Sequence, residues 1–321
     1  MIKENPIAMR DALIEKIWRE MKKDKNIFFV SADFGSPVLD KVRQDFPDQF
    51  VNVGVAEQNL INISVGLALE GYQVFCYAIA PFIPMRCYEQ IRVSIALLSE
   101  VRPMNINLIA VGAGVSYAIS GPTHQCYEDI SLMRALPNFT VLSPSDHISS
   151  GHIFDYCRKN ISPKYIRLDV KPLEVVYKSE KPNINMGFYI HNSGMDLCFI
   201  ATGYMLHTAF EVSNKLTEIG IKSTVIDMLN ITHFSKKDFL DTIKKFPKII
   251  TMEEGFSGRG GLDSMIFDLV ANNSIQTSVL NIGVSPNYTF EIGTRSELHH
   301  EVGISPEVVF KKVKKFFLGI S

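Results

Sequence analysis

Short apolar runs alternate with longer segments of helical periodicity along almost the whole of this 321-residue sequence, and that alternation constrains its fold most. Residues 27–30, 50–53, 73–80, 105–111, 140–142 and 164–168 read as strands. Residues 8–22, 60–69, 86–99 and 128–136 read as helices, as does the stretch after Asp146 to about Arg158. In the first helix Ile14, Ile17, Trp18 and Met21 share a side. Residues 81–84, with two prolines, should break the third long strand, and Ser143 to Asp146 should cap the helix that follows. Parallel neighbours need a crossover of a dozen or more residues, which a helix supplies. Repeated βα units therefore close as a parallel sheet with helices on both faces. From about 170 to 193 proline, lysine, asparagine and serine displace the pattern, as in a linker. The alternation then resumes, with strands at 197–201, 223–227, 248–252 and 277–282 and helices at 205–219, 236–246, 261–271 and 306–317. The expected fold class is α/β, with two parallel-sheet domains at residues 1–172 and 194–321 and a linker at 173–193.

Composition narrows the function classes. A hydrophobic fraction of 46% with 21% charged residues supplies two genuine cores. A net charge of −1 lacks the basic face that nucleic acids and membrane surfaces select. No apolar run approaches the ~20 residues that span a bilayer, and MIKENPIAMRDAL lacks the apolar core of a signal peptide. The five cysteines, Cys76, Cys87, Cys126, Cys157 and Cys198, are scattered without a CxxC pair. They read as reduced thiols of a cytoplasmic protein.

Chemistry concentrates where strands end. Residues 50–53 run into Gly54-Val55-Ala56-Glu57-Gln58-Asn59, and a helix follows. Glu57 thus falls on a first helical turn, where the dipole favours a carboxylate by ~0.3–1 kcal/mol. Gly54 and Ala56 also leave room for a flat ligand beside it. The strand at 27–30 ends in Ser31-Ala32-Asp33-Phe34-Gly35-Ser36, again where open α/β sheets bind ligands. The glycine-rich stretch 255–261 lacks the GxGxxG spacing, and no GxxxxGK[ST] occurs, so neither nucleotide fingerprint is present.

The strings GVAEQN, GLALEGY, GPTHQ and EDISLMRALPN stand in this order and resemble the transketolase family over nearly the whole chain. The match is to the C-terminal two thirds of a full transketolase, or to the small chain of a split one. The resemblance implies a pyrimidine-binding domain followed by a transketolase C-terminal domain. It implies thiamine diphosphate as cofactor and transfer of a two-carbon ketol unit from a ketose to an aldose. Glu57 would hydrogen-bond N1′ of the aminopyrimidine, the contact that prepares the cofactor to lose its C2 proton. Phe82 would stack on the pyrimidine, an arrangement worth ~0.5–1.5 kcal/mol beyond burial. One extra residue precedes Arg86 relative to the family pattern. His124, in GPTHQ, would face the substrate beside the reacting carbon. Arg10 and Arg167, with Ser36, would hold a sugar phosphate, which suits a planar guanidinium. Asp33 would lie near the cofactor at the subunit boundary.

Two departures carry information. The family holds the diphosphate and its Mg2+ or Ca2+ ion through a GDG sequence, and this chain has none. The resemblance then implies a partner, a large N-terminal subunit carrying that domain, in an α2β2 assembly with the active site at the interface. The second departure is Ser120, where the family reads aspartate in DGPTH. That aspartate accepts a substrate hydroxyl, so serine implies a modified sugar. The related alternatives are a 1-deoxyxylulose-phosphate-synthase-like chain, a 2-oxo-acid dehydrogenase β chain and a non-catalytic regulatory paralogue.

Overall fold

The computed structural model describes residues 5–178 and 180–320, and the chain divides into two compact units. The first takes the chain up to Ala113 together with Leu132–Pro182. Its six strands are β1 (Ile27–Ser31), β2 (Phe50–Asn52), β3 (Gln73–Ile79), β4 (Ile106–Val111), β5 (Thr140–Leu142) and β6 (Lys164–Leu168). They lie in the order β2-β1-β3-β4-β6-β5, every pair parallel. Residues of β4, β5 and β6 are buried throughout, so these strands carry apolar side chains on both faces. The strand order reverses between β1 and β3, which makes the carboxyl ends of these strands the topological switch point.

Helices α1 (Met9–Met21), α2 (Pro37–Asp45), α3 (Glu57–Leu69), α4 (Phe82–Arg86) and α5 (Tyr88–Gln90) precede a π-helical stretch at Ile91–Leu97. Then come α6 (Asp129–Arg134), which straddles the two units, and α7 (His147–Lys159). α1 buries Met9, Leu13, Ile14, Ile17 and Met21. Each large apolar side chain contributes roughly 1.5–3 kcal/mol. α1 lies against α7, whose buried Ser149, Ser150 and Gly151 let the backbones approach, and Ser150 Oγ donates to the Met9 carbonyl at 2.8 Å. Trp18 is only half-buried and donates Nε1–H to Asp45 Oδ2 at 2.8 Å. Asp146 caps α7 in a reciprocal box with Ser149, as the sequence implies.

The second unit takes Gly114–Ser131 and the chain from Asn183 onward. Its strands are β7 (Phe188–Ile190), β8 (Leu197–Ala201), β9 (Ser223–Met228), β10 (Lys248–Phe256) and β11 (Ser278–Val284). They run in the order β11-β10-β8-β9-β7 and are parallel except β7. Helices α8 (Met205–Glu218), α9 (Lys236–Ile243), α10 (Leu262–Asn272), α11 (Arg295–Glu301) and α12 (Pro306–Leu318) complete it.

Several elements differ from the sequence reading. The helix expected at 86–99 starts at Phe82, is interrupted at Cys87 (φ −121°), and is π-helical from Ile91. Pro84 does not break it, because the first helical turn has no need of that N–H. α2 and α11 are additional, and β7 lies inside the stretch read as a linker. Among the described residues, no helix is long and apolar enough to cross a membrane.

Candidate functional site

In the first unit Glu57, Phe82 and the Asp33 loop all follow carboxyl ends of β1, β2 or β3. Gly54 adopts φ +74°, a conformation that favours glycine, and turns the chain from β2 into α3. Asn52 ties the turn to the neighbouring loop. Its Oδ1 accepts the N–H groups of Asp33 at 3.1 Å and Gly54 at 3.0 Å, and its Nδ2 donates to Asp33 Oδ1 at 2.9 Å. Asp33 itself sits at φ +56°, which aspartate tolerates better than most residues. Its side chain is exposed.

Glu57 opens α3 and is 6% exposed. Its Oε1 accepts from Arg86 Nη1 at 2.9 Å, and the Arg86 guanidinium lies 3.8 Å from the centre of the Phe82 ring. Gln58 Nε2 donates to the Arg86 carbonyl at 3.2 Å. A planar cation is thus held between a buried carboxylate and an aromatic face. Val55, Ala56, Glu57, Gln58, Asn59 and Arg86 line an open cleft of about 590 Å³ here. Nearby, burial, with Cys76 and the Glu57 carboxylate adding to it, pushes the Cys87 thiol up to about 12, which disfavours the thiolate. The sequence, with its extra residue before Arg86, assigns that side chain no role. Its signal was the spacing of four from Phe82, which becomes a contact only once both lie on one helical turn.

The remaining candidates of this unit separate into two places. Ser36 is buried and caps α2, its Oγ accepting the Leu39 N–H at 3.2 Å. Arg10 donates to Asp11 at 3.3 Å and lies 5.9 Å from the Phe34 ring, which in turn stacks on Tyr77. These residues surround the same β1 loop. Arg167 stands apart in β6, beyond β4, and is 2% exposed.

His124 and Ser120 belong to the second unit. Gly121, at φ +75°, starts the short 3₁₀ turn Pro122–His124. His124 Nδ1 and Thr123 Oγ1 are 3.0 Å apart, and the Tyr117 ring meets the imidazole edge-on at 5.9 Å. Ser120 is exposed and His124 half-buried.

The two halves of the cofactor that the sequence implies fare differently. Between Glu57 and Phe82 the flat, nitrogen-rich Arg86 guanidinium already lies with one edge on the carboxylate, so a planar ring binding these two residues would take its place. For a diphosphate-bound metal, no group of three or more His, Cys, Asp or Glu side chains able to hold an ion occurs among the described residues.

Two family models match the chain: the transketolase pyrimidine-binding domain over residues 5–171 and the transketolase C-terminal domain over residues 188–309. A transketolase C-terminal section of Methanocaldococcus jannaschii is 30% identical over 95% of both chains. One subunit of an apulose-4-phosphate transketolase from Phocaeicola vulgatus is 28% identical over 97% of this chain and 98% of its own length. Among solved structures, a split-gene transketolase described as an inactive β4 tetramer superposes with a TM-score of 0.84. It is 26% identical and covers 97% of this chain and 98% of its own.

Proposed function

Because this chain belongs to the transketolase family, we propose that it is the small, C-terminal subunit of a split transketolase that moves a two-carbon ketol unit between sugars. The observation that carries this reading is the buried Glu57 carboxylate at the start of α3, beside an open cleft and bridged to Phe82 by the flat Arg86 guanidinium. The names of its relatives, a split-gene transketolase and one subunit of an apulose-4-phosphate transketolase, support the two-chain form. Thiamine diphosphate, when bound, supplies the electron sink for the ketol carbanion. Glu57 holds and moves a proton at the pyrimidine N1′, and Phe82 orients the ring by stacking. His124 donates to the substrate oxygen that becomes charged. Arg10 and Ser36, around the β1 loop, and Arg167, apart from them on β6, are the groups proposed for the distal end of the sugar, and Asp33 for the border of the cofactor.

The missing GDG supports a large N-terminal subunit as the bearer of the diphosphate and its Mg2+ or Ca2+, in an α2β2 complex. The cysteines, scattered and without a CxxC pair, support a cytoplasmic setting. Ser120 supports a modified sugar as donor or acceptor, in keeping with the apulose 4-phosphate named for one relative.

The test is ketol transfer by the chain reconstituted with a large subunit, from a panel of ketose phosphates. Glu57→Gln is expected to fold and to lose activity about 10²–10⁴-fold, because an amide cannot relay the proton. Activity within a few-fold of the parent would remove Glu57 from the chemistry.

A further inference from the structure

β10 carries two consecutive buried carboxylates, Glu253 and Glu254, where its register with β11 shifts between Met252 and Phe256. Such an irregularity re-aims side chains, and Glu254 is aimed into a closed ionic cluster. Arg295, the first residue of α11, grips it with two bonds, Nε to Oε1 at 3.0 Å and Nη2 to Oε2 at 2.6 Å. His299, one turn along α11, donates Nε2–H to Oε1, since a carboxylate can only accept. The Arg295 guanidinium lies 3.6 Å from the Tyr204 ring centre, and Tyr204 meets His299 edge-on at 5.2 Å. Glu254 is 1% exposed and His299 2%. Burial pulls the Glu254 carboxyl upward. The Arg295 charge and the His299 hydrogen bond outweigh burial and hold it well below the usual carboxylate range.

A buried ionic cluster is a poor way to gain stability, since apolar residues of the same volume often do as well or better. What the cluster touches gives it another role. Gly114 lies directly against Glu254 at φ +57°, and a Cβ there would collide with the carboxylate. Gly114 pairs with Cys126 in an isolated antiparallel bridge, its N–H donating at 3.1 Å and the return bond at 2.8 Å. The next residue, Tyr127, accepts the Phe256 N–H at 3.3 Å, with the two rings 5.0 Å apart. Residues 254–256 therefore hold both feet of the loop whose arc carries Ser120 and His124. Ile292, just ahead of α11, stands beside Gly121 on that arc.

We propose that Glu254, Arg295 and His299 are positioning residues that clamp the His124 loop, so that the C-terminal sheet sets where this histidine stands. The proposal rests on the reading of His124 as the substrate-facing residue, and deepens it.

Hydrogen exchange on the full chain tests the clamp. Glu254→Gln keeps the volume but loses the charge. The amides of Gly114, Cys126 and His124 are then expected to exchange about tenfold faster or more, while those of β8 keep their protection. Arg295→Lys, which keeps the cation and loses the fork, should fall between the two. Acceleration spread equally into β8 would make the cluster a general stabiliser and overturn the proposal, as would loop amides that do not change. Should Glu254→Gln fail to fold, Arg295→Lys is judged by the same criteria. In the complex with a large subunit, both variants should lower kcat with the KM for thiamine diphosphate unchanged; the reverse split counts against the clamp. His124→Ala separates the two ideas. Full activity there ends the histidine's assigned role, while the exchange data still decide whether the loop is clamped.

Discussion

Arg86 holds the Glu57 carboxylate at 2.9 Å while its flat face covers Phe82. Both contacts are with groups assigned above to the aminopyrimidine. The Arg86 side chain is 48% exposed, so solvent screens the ion pair. That pair is worth about 0.5–1 kcal/mol, and the stack on Phe82 about as much again. A ring entering this space displaces both contacts. In the reconstituted complex, Arg86→Ala is therefore expected to bind thiamine diphosphate about five- to thirtyfold more tightly by titration calorimetry. Weaker binding would show instead that the guanidinium stays and holds the ring. Ser120 poses a question of specificity on the same scale. A hydroxyl that meets a carboxylate gains about 1–2 kcal/mol over one that meets a neutral acceptor. Ser120→Asp should accordingly raise kcat/KM for xylulose 5-phosphate and ribose 5-phosphate about five- to thirtyfold. If the parent already turns these sugars over at a comparable rate and aspartate adds nothing, the modified-sugar idea is wrong.

At the level of elements, Asp146 ties two segments together with one carboxylate. Oδ1 accepts Ser149 N–H at 2.7 Å and its hydroxyl at 2.8 Å, while Oδ2 accepts the amides of Val176 at 2.8 Å and Tyr177 at 3.0 Å. Asp146→Ala removes a helix cap, about 1–2 kcal/mol, and strands two amides at about 1–3 kcal/mol each. A loss of about 3–8 kcal/mol is expected in urea unfolding. The chain's one tryptophan, Trp18, reports on it from α1, which lies against α7. A change under 1 kcal/mol would show that water replaces the carboxylate at no cost. The sequence made the start of α7 legible, because Ser143-Pro144-Ser145-Asp146 is a cap signal in itself. β5, β6 and β8 were legible to the residue, being short, wholly buried and sharply bounded. α2 was missed although Ser36 and Pro37 announce it, because its exposed face outweighs Leu39 and Val42. β7 went unseen because Phe188, Tyr189 and Ile190 are too few to establish a period within a polar stretch. Of the site, Glu57 and His124 stood out through their neighbouring residues. The Arg86–Glu57 ion pair and the close approach of Glu254 to Gly114 are long-range contacts that no local pattern encodes.

On the function proposed above, the chain would hold one half of a cofactor. The purified chain alone is expected to show no tight, magnesium-dependent binding of thiamine diphosphate by calorimetry, and to gain it when a large subunit is added. Tight binding by the isolated chain would sink the two-subunit reading. The discontinuity of both units has a further consequence, which concerns synthesis. The loop Gly114–Ser131 leaves the ribosome before β5 and β6, yet it belongs with a sheet still to be made. Its support at Glu254–Phe256 emerges only after β8 and β9 have been translated. At the usual ~5–20 residues per second, that interval lasts roughly 6–30 s. Throughout it, the apolar residues of the loop have no sheet to settle on. Exposed apolar surface of this kind favours aggregation, so slow codons or a chaperone acting between β6 and β10 are expected to change how much of the chain reaches the native state.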